Sequence, residues 1–189
     1  MIVAVTSRKL TERGNLYIIV EQALKSGAGA IMLREKDLDF KSLYPIALQL
    51  KKITEKYNAE FIVNGNFKIA KKVKANYYHT SFLNLKKIDQ PLNFNTGVSI
   101  HSLEEGIEAE RLGAKYILVG NIYETNCKPG LKGKGENFLK KIISSINIPV
   151  IAIGGINENN IKSIKEVGAY GAAVMSLAMK TPENIKKLL

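Results

Sequence analysis

Arg34, Lys36, Asn64, Ser99, Asn121, Glu124, Thr125 and Lys128 share one trait: each stands at or just beyond the end of an apolar run of strand length. The runs end in Leu33-Arg34-Glu35-Lys36, Val63-Asn64-Gly65-Asn66, His79-Thr80-Ser81, Ser99-Ile100-His101 and Gly120-Asn121-Ile122-Tyr123-Glu124-Thr125-Asn126-Cys127-Lys128. Guanidinium and ammonium groups there supply fixed positive charge, and the amides and hydroxyls supply directed hydrogen bonds. Fixed cations in a partly dry cleft suit a phosphorylated or carboxylated small substrate. One cysteine and two histidines offer no zinc site and no internal disulfide.

A second feature points to anions. Pro149-Val-Ile-Ala-Ile-Gly-Gly-Ile156 is an apolar run that ends in Gly154-Gly155, and Gly168-Ala-Tyr-Gly-Ala-Ala-Val-Met-Ser176 is another that ends in Met175-Ser176. Ile161, Ile164 and Val167 lie between them at helical spacing. The pattern predicts a βαβ unit with two buried parallel strands. Glycine without a Cβ lets backbone N–H groups approach an anion, although an ordinary tight turn needs the same residues.

The elements that must hold these side chains alternate along the chain. Strand-like runs fall at 2–6, 30–34, 60–64, 76–80, 96–100, 116–121, 150–154 and 171–176. Helix-period segments fall at 16–25, 40–57, 67–73, 103–112, 136–146, 158–167 and 182–189, with a weakly helical stretch at 84–93. Alternation of this kind predicts an α/β protein, and eight units predict a compact (β/α)8 barrel forming one domain over residues 1–189. A doubly wound open sheet would carry a glycine-rich loop after its first strand, and Thr6-Ser7-Arg8-Lys9 is not one.

The net charge of +11 favours acidic ligands, yet its lysine pairs are spread over 51–52, 71–72, 86–87, 140–141 and 186–187 rather than gathered in a stripe. No nucleic-acid partner is therefore expected. No stretch reaches the roughly 20 apolar residues of a membrane span. Met-Ile-Val-Ala-Val-Thr-Ser enters the first strand without a charged leader, and the single cysteine suits a reducing compartment, so the expected location is the cytoplasm. The oligomeric state is left open between a monomer and a homo-oligomer.

Leu33-Arg34-Glu35-Lys36, Val98-Ser99-Ile100-His101-Ser102 with Glu104-Glu105, Gly120-x-x-x-x-Thr125-x-x-Lys128, Ala152-Ile153-Gly154-Gly155-Ile156 and Gly171–Ser176 together resemble the thiamin phosphate synthase/TenI superfamily. The resemblance covers nearly the whole chain and implies the compact barrel. It implies a thiazole phosphate as ligand and, for the synthases, a hydroxymethylpyrimidine diphosphate with Mg²⁺. Arg34, Lys36 and Lys128 would then meet carboxylate or phosphate, Asn64, Ser99, Asn121 and Thr125 would orient the ring, and Gly154, Gly155, Met175 and Ser176 would hold phosphate.

Departures from the family pattern rank its branches. Synthases place carboxylates for Mg²⁺ after strands three and four, where this chain has Gly65 and Asn84; Asp37 and Asp39 are the nearby acids. Asn64-Gly65 and Glu124-Thr-x-Cys-Lys128 resemble TenI, whose members aromatise a thiazole phosphate carboxylate by proton transfer. A metal-free thiazole tautomerase is thus the first expectation, with a synthase second and a non-catalytic ligand-binding protein third. Where TenI carries a histidine this chain has Asn121, which takes no proton at neutral pH. Lys36 and Glu124 are therefore the leading proton carriers, with Glu35, His79 and Cys127 behind them.

Overall fold

The computed structural model describes residues 1–11, 15–88, 93–125 and 130–189. Eight parallel strands, β1 (Ile2–Val5), β2 (Ala30–Leu33), β3 (Glu60–Asn64), β4 (Tyr77–Ser81), β5 (Thr96–Ile100), β6 (Tyr116–Gly120), β7 (Val150–Ile153) and β8 (Gly171–Val174), pair in chain order and close into a barrel. Alternating with them are α1 (Leu16–Lys25), α2 (Phe40–Lys56), α3 (Phe67–Lys72), α4 (Phe82–Leu85), α5 (Leu103–Arg111), α6 (Gly135–Ile143), α7 (Ile161–Glu166) and α8 (Ser176–Lys180). The expected (β/α)8 architecture is the one observed.

Two compact units make up the chain, Met1–Tyr78 with Val174–Leu189, and His79–Ala173. In the first, Val3 faces Ala30 and Ile31 faces Phe61 in parallel register. In the second, Val98 faces Ile117, Val119 faces Ala152 and Ile153 faces Ala173. Ile31, Phe61, Ile117 and Ile151 are fully buried, which accounts for the unbroken apolar runs: parallel strands covered on both faces need no polar alternation. Each such side chain contributes about 1.5–3 kcal/mol by leaving water.

Polar side chains at the strand-to-helix junctions start the helices. Asn15, Asp39, Asn66, Ser81 and Ser102 accept from backbone N–H groups of Tyr17, Ser42, Ile69, Asn84 and Glu105. Each satisfies an N–H that the helix itself leaves without a partner.

The sequence expectations miss the short elements. A 3-10 helix at Arg8–Leu10 carries no helical period, and the final segment, Pro182–Leu188, is 3-10 rather than α. Ser176, expected to end the last strand, instead opens α8. The helix expected at 158–167 starts at Ile161, because Asn157 and Asn160 side chains accept from the N–H groups of Asn159 and Asn157 and hold a turn ahead of it. The weak helix expected at 84–93 is the single turn of α4, starting at Phe82; residues 89–92 lie outside the described ones. Among the described residues no helix is long and apolar enough to cross a membrane.

Candidate functional site

Among the described residues, Arg34, Lys36, Asn121, Glu124 and Thr125 follow the C-terminal ends of their strands, and Asn64 and Ser99 lie in the last two residues of theirs; in (β/α)8 enzymes that end carries the chemistry. In the unit containing β1 to β3, Glu35 is the hub. It is 6% exposed, and it accepts from the Thr6 hydroxyl at 2.8 Å and from the Arg8 backbone N–H at 3.1 and 3.2 Å. Thr6 Oγ1 in turn accepts from the Arg34 N–H at 3.0 Å. The end of β1 is thereby tied to the end of β2, and Arg34 is placed half-buried while Lys36 stands exposed. Glu35 is an anchored carboxylate, with both oxygens engaged by Thr6 and Arg8.

Arg8 Nε lies 3.4 Å from Glu35 Oε2, yet it makes no well-formed hydrogen bond; the contact is an ionic one at poor angle. Its Nη2 reaches Asp37 at 3.3 Å, and Lys9 reaches the same carboxylate at 3.5 Å. A backbone hydrogen bond, with help from Lys9 and Arg8, holds the Asp37 carboxyl below the usual range. Asn64 is the last residue of β3 and is half-buried, followed by Gly65 at φ +76 and by Asn66, the cap of α3.

In the unit His79–Ala173, β4, β5 and β6 contribute a buried polar chain. His79 is completely buried, with Nε2 2.7 Å from Ser99 Oγ and Nδ1 2.9 Å from the Tyr116 hydroxyl. Ser99 is half-buried. His101 is exposed and serves the start of α5: its N–H donates to Glu105 Oε2 at 2.6 Å, and its carbonyl accepts from Lys134 Nζ at 2.8 Å.

The β6–α6 loop is packed from inside. Asn121 is 3% exposed and its Nδ2 donates to the carbonyls of Tyr123 and Leu131, both at 3.2 Å. The Asn121 carbonyl accepts from the Lys134 N–H at 2.9 Å. Asn121 is therefore a clamp that closes the loop, not a group hanging free for proton transfer. Tyr123 donates to Glu136 Oε1 at 2.6 Å, and burial, reinforced by that carboxylate, pushes its phenol well up, so it stays neutral. Glu124 is exposed and Thr125 half-buried; Cys127 and Lys128 lie outside the described residues.

Gly154 and Gly155 press on this loop. Their φ values are +103 and +67, and a Cβ on Gly154 would fall 2.5 Å from Asn121 Cβ, one on Gly155 2.4 Å from the Glu124 carbonyl oxygen. The pair is required for close approach of backbone, whatever it binds. The Gly155 carbonyl accepts from Asn160 Nδ2 at 2.9 Å. Met175 and Ser176, in the other unit, form the half-buried start of α8.

Among the described residues, magnesium is not matched. It takes hard oxygen ligands, carboxylates above all. Gly65 has no side chain and Asn84 is a neutral, exposed amide. Asp37 is bound to Arg8 and Lys9, and Asp39 accepts from the Ser42 N–H at the start of α2. Among the described residues no group of three or more His, Cys, Asp or Glu side chains is placed to hold a metal ion.

A family model described as thiamine monophosphate synthase matches residues 2–178. The chain belongs to the thiamine monophosphate synthase family. Thiamine-phosphate synthase of Clostridium acetobutylicum is 42% identical over 91% of this chain and 83% of its own. That of Clostridium tetani is 36% identical over 97% and 89%. A solved thiamine phosphate pyrophosphorylase from Pyrococcus furiosus superposes with TM-score 0.86 at 32% identity, covering 99% of this chain and 92% of that one. An N-acetylmannosamine-6-phosphate 2-epimerase from Clostridium perfringens, 19% identical at TM-score 0.67, shares the fold alone.

These relatives overturn the tautomerase expectation. Relatives 34–42% identical carry the synthase name, so Gly65 and the Glu124-Thr-x-Cys-Lys128 pattern do not mark a separate TenI branch. The clamped Asn121 agrees: its Nδ2 is committed to loop carbonyls, and an amide is neither an acid nor a base at neutral pH. The residues that sequence reasoning missed, and that bond to the candidate residues, are Thr6, Arg8 and Tyr116. Thr6 is legible only as a polar residue closing an apolar run, and Tyr116 carries no signal because it opens its strand.

Proposed function

We propose that this protein is a thiamine phosphate synthase, joining a hydroxymethylpyrimidine diphosphate to a thiazole phosphate. The observation that supports it is the 42% identity, over 91% of the chain, to a relative named for that activity. In the reaction the bond between the pyrimidine methylene carbon and the diphosphate oxygen breaks. A bond forms between that carbon and the thiazole nitrogen, and diphosphate leaves with the electron pair.

The residues divide the work by type. Arg34 and Lys36 at the end of β2, with Lys128, supply positive charge to the diphosphate oxygens, and the net charge of +11 favours such anions. Asn64, Ser99 and Thr125 orient the two rings through amide and hydroxyl groups. Backbone N–H groups at Gly154 and Gly155, and at Met175 and Ser176, are assigned to phosphate. Asn121 holds the β6–α6 loop, and no step is assigned to Glu124. A single cysteine in the chain fits a cytoplasmic enzyme.

Purified protein given both substrates, with and without added Mg²⁺, should release thiamin phosphate and diphosphate in equal amounts. Product no greater than in a protein-free control under both conditions would overturn the assignment. Binding without turnover is the second reading, favoured by one observation: Gly65 and Asn84 bring no carboxylate to the site.

A further inference from the structure

Behind Ser99 the interior of the unit His79–Ala173 holds two more polar side chains in line with it. His79 on β4 contacts Ser99 on β5 through Nε2, at 2.7 Å, and Tyr116 on β6 through Nδ1, at 2.9 Å. The imidazole and phenol rings stack, with centroids 5.5 Å apart and planes at 23°. Room for the phenol comes from Gly97, where a Cβ would fall 2.0 Å from Tyr116 Cζ. Neither ring has surface to spare: His79 is 0% and Tyr116 5% exposed.

A core of this kind could be filled more cheaply with apolar side chains, since a buried polar group costs free energy unless its hydrogen bonds are made. The arrangement also has a consequence that an apolar core lacks. A neutral imidazole has one donor and one acceptor nitrogen. The direction of the Tyr116 hydrogen bond therefore fixes the direction of the Ser99 one, and with it whether the serine hydroxyl can donate or must accept elsewhere. An aliphatic hydroxyl alone rotates freely among staggered positions.

We propose that His79 is a positioning residue that holds the Ser99 hydroxyl in one orientation and one hydrogen-bond polarity for the substrate, with Tyr116 selecting the imidazole tautomer. The proposal rests on the synthase reading only in taking Ser99 to touch substrate.

The test compares two amides at position 79. The Gln side chain reaches the place of the imidazole Nε2 and keeps the Ser99 contact, whereas Asn reaches only the place of Nδ1. His79→Gln should retain kcat/KM within about twofold, and His79→Asn and Ser99→Ala should each lose about tenfold, the upper range for one hydrogen bond. The double variant His79→Asn/Ser99→Ala should lose no more than Ser99→Ala alone. Multiplying losses, or equal losses in the Gln and Asn variants with unchanged unfolding midpoints, would overturn the proposal.

Ring-nitrogen NMR of His79 supplies a readout independent of turnover and of folding defects at position 79. Wild type should show one neutral tautomer and Tyr116→Phe a shifted or mixed one; identical spectra would overturn the role of Tyr116. If wild type forms no thiamin phosphate, the synthase assignment fails while this spectrum still decides whether the chain of hydrogen bonds is set by Tyr116.

Discussion

The Thr6 hydroxyl donates to Glu35 Oε1 at 2.8 Å while its oxygen accepts from the Arg34 backbone N–H at 3.0 Å, so one threonine links the ends of two strands. Glu35 completes the link through the Arg8 N–H. Replacing Glu35 with Ala strands the Thr6 and Arg8 donors in a buried place. The expected cost is about 1–3 kcal/mol in chemical denaturation, the range for buried groups left without a partner. Substrate turnover should fall with it, and Glu35→Gln should fall less on both counts. Full stability in Glu35→Ala would show that the link is dispensable.

Asn121 makes a comparable prediction for the β6–α6 loop. Asn121→Leu keeps the branching and the number of side-chain heavy atoms and removes the two donors that meet the Tyr123 and Leu131 carbonyls. Destabilisation of about 1–3 kcal/mol is expected, together with faster proteolysis within the loop. A loss of activity without any change in stability or cleavage would instead make Asn121 a substrate contact.

Much of this was legible in the chain before its structure. The eight strands were readable because buried parallel strands leave unbroken apolar runs, as in Val150–Ile153, and because Arg34, Asn64 and Ser99 stand where those runs end. The short elements were not, since α4 and α8 span too few residues to show a helical period. Side-chain direction was hidden for another reason. His79 and Tyr116 are 37 residues apart, and neither residue type alone says that the two share a hydrogen bond. The family resemblance identifies the superfamily but misranks its branches, because Gly65, Asn84 and the Glu124-Thr-x-Cys-Lys128 pattern point to TenI locally, whereas similarity along the whole chain points to the synthases.

Gly154 gives the sharpest structural prediction. With φ at +103 and Asn121 Cβ 2.5 Å from the place a Cβ would take, Gly154→Ala must both strain its backbone and push the loop away. The left-handed backbone alone costs about 1–2 kcal/mol, and the steric contact adds to it. Differential scanning calorimetry should show a lowered midpoint, whereas Gly65→Ala, with nothing within 4 Å of its Cβ, should carry only the backbone part. Equal shifts in the two variants would mean that the packing of Gly154 on Asn121 contributes nothing.

Glu21 sets the acid limit of the contact between α1 and α2. Its Oε1 accepts from Lys56 Nζ and from the Tyr57 hydroxyl, both at 2.7 Å, and these bonds hold its carboxyl down at about 2, against 4.5 without them. Because the folded-state value lies below the unfolded one, the unfolded chain binds the proton first as pH falls. The stabilisation is therefore complete above pH 4.5 and drains away between 4.5 and about 2. Lys56 is shifted the opposite way, upward, by the same bond, so its share persists until pH rises past 10.5. Urea midpoints measured from pH 6 downward should decline more steeply in wild type than in Glu21→Gln, with the two curves converging at the acid end. Parallel curves would show that this exposed pair adds nothing to folding.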